Sequence, residues 1–246
     1  MHKDILVLAK SRKNGGFCVA GLEVGRANEN NRYLKRRWLR PVFNTGSHMS
    51  GALPFEHCRN FSVLDVIRVN LACPSPLPGQ SENWQCLPST IQRLYAFPEP
   101  GILHKIADGH GEIWHDTTTP RDDQISANTV RTNKIQDSLM LIKPQDLVFE
   151  LELQNSFHGV RKRIYCSFAH NGKRYQRISV TDPVISRILR GRFPETVGKT
   201  LSLRPERGDD YWLTLSLSLC IGRASYHYIV AAAVIDNTGH LNRTYR

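Results

Sequence analysis

The sequence predicts a mainly β protein built as two small barrels or sandwiches. Most apolar runs are short, rich in β-branched and aromatic residues, and bounded by Gly, Pro, Asn or Asp. They fall into two clusters, one in the first third of the chain and one after about residue 138, separated by a Pro-, Gly- and His-containing middle over 73–136. A chain of 246 residues, 40% of them hydrophobic, is long enough to bury a core in each.

Taken in order, strands are expected at 5–9 and 17–24, flanking Lys10-Ser11-Arg12-Lys13-Asn14-Gly15-Gly16. Residues 25–36 have no apolar pattern beyond Tyr33 and Leu34, so an extended, mobile, basic hairpin loop is expected there. Strands follow at 37–42 and 63–70, and a short helix is expected at 90–97. The second cluster supplies strands at 139–143, 147–153, 161–168, 175–181, 200–203, 212–219 and 228–235. A helix at 182–190 would follow Thr181-Asp182-Pro183, with proline at its first position. The polar tail 236–246 is expected to fray. This gives a first β domain over 1–105, an irregular connection over 106–137 and a second β domain over 138–246, with no visible internal repeat.

Thirty-three Lys and Arg against 22 Asp and Glu give a net charge of +11. Such a field favours polyanions: nucleic acid, nucleotides or an anionic membrane surface. No run approaches the roughly 18 apolar residues of a spanning helix, and Met1-His2-Lys3-Asp4 leads into the first strand without a signal-peptide pattern, so a cytoplasmic chain with no membrane partner is expected. The six cysteines show no Cys-x-x-Cys spacing and read as reduced thiols, with Cys18, Cys166 and Cys220 acting as small hydrophobes inside strands.

The clearest functional signal is VRKRIYCSFAHNGKRYQRISVTD, where Asn171-Gly172 between alternating runs demands a hairpin. A two-residue turn would mix polar and apolar side chains on each face. A three-residue loop His170-Asn171-Gly172 pairs Ile164 with Ile178, collects Ile164, Cys166, Phe168, Ile178 and Val180 on one face, and leaves Arg161, Arg163, Tyr165, Tyr175 and Arg177 on the other. Arginines interleaved with tyrosine rings suit single-stranded nucleic acid, cations meeting phosphates and rings meeting bases. A solvated face, with arginine stems covering the rings, is the plainer alternative.

A second basic cluster contains Arg36, Arg37, Trp38 and Arg40; strand alternation puts Trp38 and Arg40 on one side, where they could form a stacking platform or, more plainly, a core tryptophan beside an edge arginine. In the opening segment, Lys10, Ser11, Arg12 and Lys13 beside a Gly-Gly turn could hold a phosphate, but the spacing is not that of a P-loop and a plain turn is favoured. His104, His110 and His115 with Asp108 and Asp116 fit no metal-ligand spacing, no nucleophile elbow occurs, and neither a catalytic residue, a metal nor a cofactor is expected.

On KSRKNGGFCVAGLEV, WLRPV, LDVIRV, QSENW, SVTDPVI and the closing LTLSLSLCIG with YHYIVAAAVI, the chain resembles the prokaryotic dual OB-containing domain family over nearly its whole length. The resemblance implies two OB-like β-barrels, a nucleic-acid-binding role and an association with bacterial defence or mobile-element loci. It carries Ser11, Arg12, Lys13, Trp38, Arg40, Asn83, Trp84 and Asp182 over as motif positions without assigning them roles. The reading is therefore a non-catalytic binder of single-stranded nucleic acid. The rivals are an enzyme or sensor with a nucleotide-sized pocket between the barrels, and an adaptor for a protein partner in a multi-component system.

Overall fold

In the computed structural model, residues 1–13, 15–26, 32–43, 51–87, 90–97, 101–109, 111–132, 135–157, 159–205, 210–220, 225–237 and 241 are described. β1 (His2–Lys13) and β2 (Gly16–Arg26) form an antiparallel hairpin whose last pair is Lys13 with Gly16. The two glycines there answer different demands. Gly15 turns the chain at φ +81°, and a Cβ on Gly16 would lie 2.0 Å from the carbonyl oxygen of Leu53 in β4 (Leu53–Pro54).

β2 pairs with β3 (Arg32–Val42), β3 runs parallel to β6 (Asn83–Cys86), β6 is antiparallel to β5 (Asp65–Pro74), and β5 returns to β1. Five strands thus close a ring, with β7 (Gln92–Ala96) added along β5. Chain segments α1 (Ile102–Ile106), β8 (Gln124–Ser126) and α2 (Ala127–Thr132) lead into the second sheet.

That sheet repeats the same pairing logic. β10 (Gln145–Ser156), β11 (Gly159–His170) and β12 (Lys173–Val180) form an antiparallel meander; β12 runs parallel to β15 (Tyr226–Asp236); β15 is antiparallel to β14 (Tyr211–Leu217); and β14 pairs with β9 (Leu139–Ile142). Only Lys143 and Pro144 separate β9 from β10, so the two stand where β1 stands in the first ring, broken at a proline that has no N–H to give a ladder. β13 (Thr200–Leu203) extends the far edge of β10. The repeat invisible in the residues is plain in the topology.

The two sheets share packing. Leu139, Leu141, Trp212, Ala232, Ala233 and Ile235 of the second join the first barrel's apolar cluster of Ile5, Leu6, Val7, Leu8, Val66 and Ile67. Across this seam Thr214 Oγ1 donates to the Leu8 carbonyl at 2.6 Å. The small side chains at Ala231, Ala232 and Ala233 let β15 lie close to β1, as the apolarity of that run suggests.

Several expectations are corrected. Residues 90–97 hold β7 rather than a helix: the open edge of β5 offers backbone partners, and Arg93 is ion-paired to Asp65 at 2.8 Å. The expected loop over 25–36 is mostly strand, because Gly25 pairs with Tyr33 and Val24 with Leu34; 27–31 lie outside the described residues. The irregular middle over 73–136 contains β6, β7, α1, β8 and α2. β14 ends at Leu217, which leaves Cys220 exposed rather than in a strand. The fraying expected of 236–246 falls largely outside the described residues. Among the described residues no helix is long and apolar enough to cross a membrane.

The 170–173 turn is also corrected. Asn171 and Gly172, both at positive φ, make a two-residue turn closed by His170 and Lys173. The faces still separate, because a bulge sits farther along: between the pairs Phe168–Tyr175 and Cys166–Ile178, Gln176 and Arg177 oppose Ser167 alone. Arg177 takes φ +54° there and its N–H donates to Ser167 Oγ at 3.0 Å. Ile178 and Val180 therefore turn inward as expected, but so does Tyr175, which is 4% exposed and stacked on Phe168.

Candidate nucleic-acid interface

The face expected between Arg161 and Arg177 is internally satisfied at its centre. The Arg177 guanidinium lies 4.3 Å from the Tyr165 ring centroid and donates to Glu152 at 2.6 Å and Glu150 at 3.2 Å. Gln154 donates to the Tyr165 hydroxyl at 3.1 Å. The Arg177 hydrogen bond holds the Glu152 carboxyl below its usual range and raises the pKa of Arg177. Tyr175 is in the core and presents no face to a base. Arg161 and Arg163 remain exposed, with Arg163 turned to a different surface.

That surface is a cleft of about 670 Å³ between the two sheets. Arg12 reaches it from the end of β1, Lys162 and Arg163 from β11, Arg187 from α3 (Pro183–Ile188) and Arg190 from the 3-10 turn Leu189–Arg192. These five cations are exposed, no carboxylate lines the cleft, and none of the five is ion-paired to a carboxylate among the described residues. Lys162 donates to the Arg190 carbonyl at 3.0 Å and lies 5.0 Å from the Phe193 ring centroid, which fixes the β11 side against the helix side. Phe17 supplies an aromatic wall, edge-on to Phe55 at 5.0 Å.

The sequence places α3 here through Asp182. Its Oδ1 accepts the N–H groups of Val184 and Ile185 at 2.7 and 3.3 Å, while Oδ2 accepts from Val234 N in β15 at 2.8 Å. One fully buried carboxylate thus caps the helix and ties it to the barrel. The backbone N–H of Arg12 donates to the Thr181 carbonyl at 3.3 Å, joining the β1 end to the residue before that cap.

Lys10 is not a free cation at this site. It is 2% exposed, donates to the carbonyls of Cys58 and Phe61 at 2.6 Å each, and sits about 5 Å from the Phe17 and Phe61 rings. Desolvation lowers its pKa to about 8, against smaller opposing pulls from Cys58 and Asp65. Ser11, Arg12 and Lys13 instead line a second cavity, of about 410 Å³, which shares Arg12 and Thr181 with the cleft.

Arg40 is buried beside this cavity and does not pair with Trp38. It lies 3.2 Å from Glu82 Oε1 and donates to Ser138 and Ser216, while Ser138 Oγ donates to Glu82 at 2.5 Å. The stacking in this cluster is Arg37 over Trp84, at 5.5 Å, with Trp38 packed against the apolar cluster. Arg36 donates to the Lys105 carbonyl at 3.3 Å; neither Arg36 nor Arg37 lines the cleft.

The described side chains of the histidine-rich stretch meet other groups of the protein. His104 faces Asp210 at 3.4 Å, Lys173 and His115 are 2.7 Å apart, and Asp108 accepts from Leu141 N at 3.3 Å. Asp116 accepts from Thr118, Ser126 N and Thr129; these bonds outweigh its desolvation and hold its carboxyl well below the usual range. His110 lies outside the described residues. Among the described residues no three His, Cys, Asp or Glu side chains gather as metal ligands.

Two closed or nearly closed rings built on one pairing plan are what the family resemblance implies, and a sequence model of the dual OB-containing domain matches residues 3–234. The chain belongs to the dual OB-containing domain family. No curated protein and no solved structure matches it. In this dual OB chain, Lys162, Arg187 and Arg190 were missed by sequence reasoning. A signal for the last two was present: ISRILRGR places arginines at 187 and 190, one turn apart, directly after the helix start at Asp182-Pro183.

Proposed function

We propose that the protein binds single-stranded nucleic acid, without chemistry of its own, along the basic cleft between its barrels. The observation that carries this reading is the convergence of Arg12, Lys162, Arg163, Arg187 and Arg190 on a cleft that no carboxylate lines among the described residues. Exposed cations held close together without counter-charges repel one another, and a polyphosphate backbone relieves that repulsion while releasing its own counterions. Family membership supports the same partner, since OB barrels commonly bind oligonucleotides. Phe17 in the wall and the adjoining cavity favour a strand with unstacked bases over a duplex. An association with bacterial defence rests on the family resemblance alone.

Fluorescence anisotropy with labelled single-stranded DNA, single-stranded RNA and duplex DNA over a salt series tests this. The expected result is preferential strand binding whose log affinity falls with log salt by about 0.7 per neutralised phosphate. Arg163→Glu with Arg187→Glu should weaken it at least about tenfold and flatten the slope. Absence of binding to all three at low salt defeats the reading.

A further inference from the structure

A residue that lines the cavity beside the cleft carries a polar atom that the protein itself leaves unmet. Gln80 Nε2 donates to the Leu217 carbonyl at 3.1 Å, which fixes the orientation of that amide, because only its nitrogen can face a carbonyl oxygen. Gln80 Oε1 must then face Asn83, and it accepts from Asn83 Nδ2 at 3.1 Å. Asn83 is fixed in turn, with Oδ1 as its remaining atom. Asn83 is 2% exposed, it lines the cavity, and its Oδ1 is buried with no hydrogen-bond donor. A buried carbonyl oxygen without a donor costs stability unless something brings one.

The rest of the lining describes what would fit. Val42, Leu77, Leu217, Leu219 and Val230 give apolar walls for a flat ring. Ser11, Arg12 and Lys13 line the same cavity, and Arg12 also lines the cleft where phosphates are expected. About 410 Å³ falls within the ~300–1,000 Å³ range of small-molecule sites. The required ligand has a planar apolar body, an N–H donor on its edge and an anionic group a short distance away.

We propose that this cavity is a subsite for one unstacked nucleotide, with its base between the apolar walls, its phosphate held by Ser11, Arg12 and Lys13, and an edge N–H of the base met by Asn83 Oδ1 once that side chain turns toward the cavity. The ligand class rests on the nucleic-acid reading above. The same chemistry is offered by a free nucleoside monophosphate and by a nucleotide of a strand lying in the cleft. Gly15 of the opening segment serves the turn, Gly16 the close approach of β4, and the polar residues before them serve the subsite.

Calorimetry with the four common nucleoside 5′-monophosphates, with ribose 5-phosphate as the control lacking a base, is paired with anisotropy on a labelled oligonucleotide. Each uses wild type, Ser75→Trp and Cys18→Trp; both substitutions fill the cavity from its lining without replacing a cleft cation, and thermal melting identifies which variant is folded. At least one monophosphate should bind saturably and about tenfold or more tightly than ribose 5-phosphate, and filling the cavity should erase that preference. If the monophosphates match ribose 5-phosphate but cavity filling weakens the oligonucleotide about tenfold, the subsite serves a strand and the proposal stands. Monophosphates no better than ribose 5-phosphate, with oligonucleotide affinity unchanged by filling, overturn the subsite and leave the cleft reading intact. Monophosphate binding lost on filling, with no oligonucleotide binding by wild type, supports the subsite and defeats the cleft reading alone.

Discussion

Lys10 illustrates how far burial changes the meaning of a residue type. In the sequence it belongs to a cationic run beside two glycines; in the fold its ammonium closes two backbone carbonyls under a pair of phenylalanine rings. With a pKa of about 8 when folded against 10.5 otherwise, Lys10 releases its proton in the folded state while the unfolded chain still holds it. Stability therefore rises with pH through that window. Burial pushes the Cys58 and Cys86 thiols up to about 12, and these act in the opposite sense above their ordinary value of 9.0. The difference between wild type and Lys10→Met isolates the lysine. Thermal unfolding from about pH 8 to about pH 10 should show wild type gaining on the variant, and a constant difference would contradict the placement. Some residue roles were legible: Thr181-Asp182-Pro183 announced a helix start, and Asp182 is its cap. Tyr175 was not, because the two-residue turn pairs it with Phe168, and only a bulge at Gln176 and Arg177, which no local preference announces, lets Ile178 and Val180 face inward as well.

At the scale of elements, the long strands were legible because their apolar runs are bounded by turn residues, and all of them recur with shifted ends. β4, β6, β7 and β8 were not. They are short pieces that exist because a neighbouring strand offers unpaired backbone, and 90–97 carries spacing that suits a helix equally well. The helix that matters most for the proposed function is α3, since it delivers Arg187 to the cleft and leads into the turn that delivers Arg190. Asp182→Ala removes its cap and leaves the Val234 N–H without its acceptor, so a loss of about 2–4 kcal/mol in denaturant unfolding is expected. Oligonucleotide affinity should fall as well, as Arg187 and the Arg190 that follows it lose their placement. A change below about 0.5 kcal/mol would show that the cap does not organise the helix.

For the whole molecule, the sequence suggested two β domains and a basic balance but not how the two meet. The cleft draws Arg12, Arg163 and Arg187 from three distant segments, and only the pairing of strands brings them together. The seam is held by shared apolar packing and by the buried Arg40–Glu82 pair, whose hydrogen bonds to Ser138 and Ser216 cross from one sheet to the other. Removing one member strands a charge in the interior. Arg40→Met should destabilise by about 3–5 kcal/mol in denaturant unfolding, and the double variant Arg40→Met, Glu82→Met should recover part of that loss. An additive double variant would mean that the pair is not coupled.

The central claim is that nucleic acid lies along the junction of the two barrels, not on the outer face of β10, β11 and β12. Hydrogen–deuterium exchange with and without a bound single-stranded oligonucleotide locates it most directly. Protection is expected at the β1 end around Arg12, at Lys162 and Arg163, and through α3 to Arg190. Protection confined to the surface around Tyr165, Gln176 and Arg177, with the junction unchanged, would contradict it.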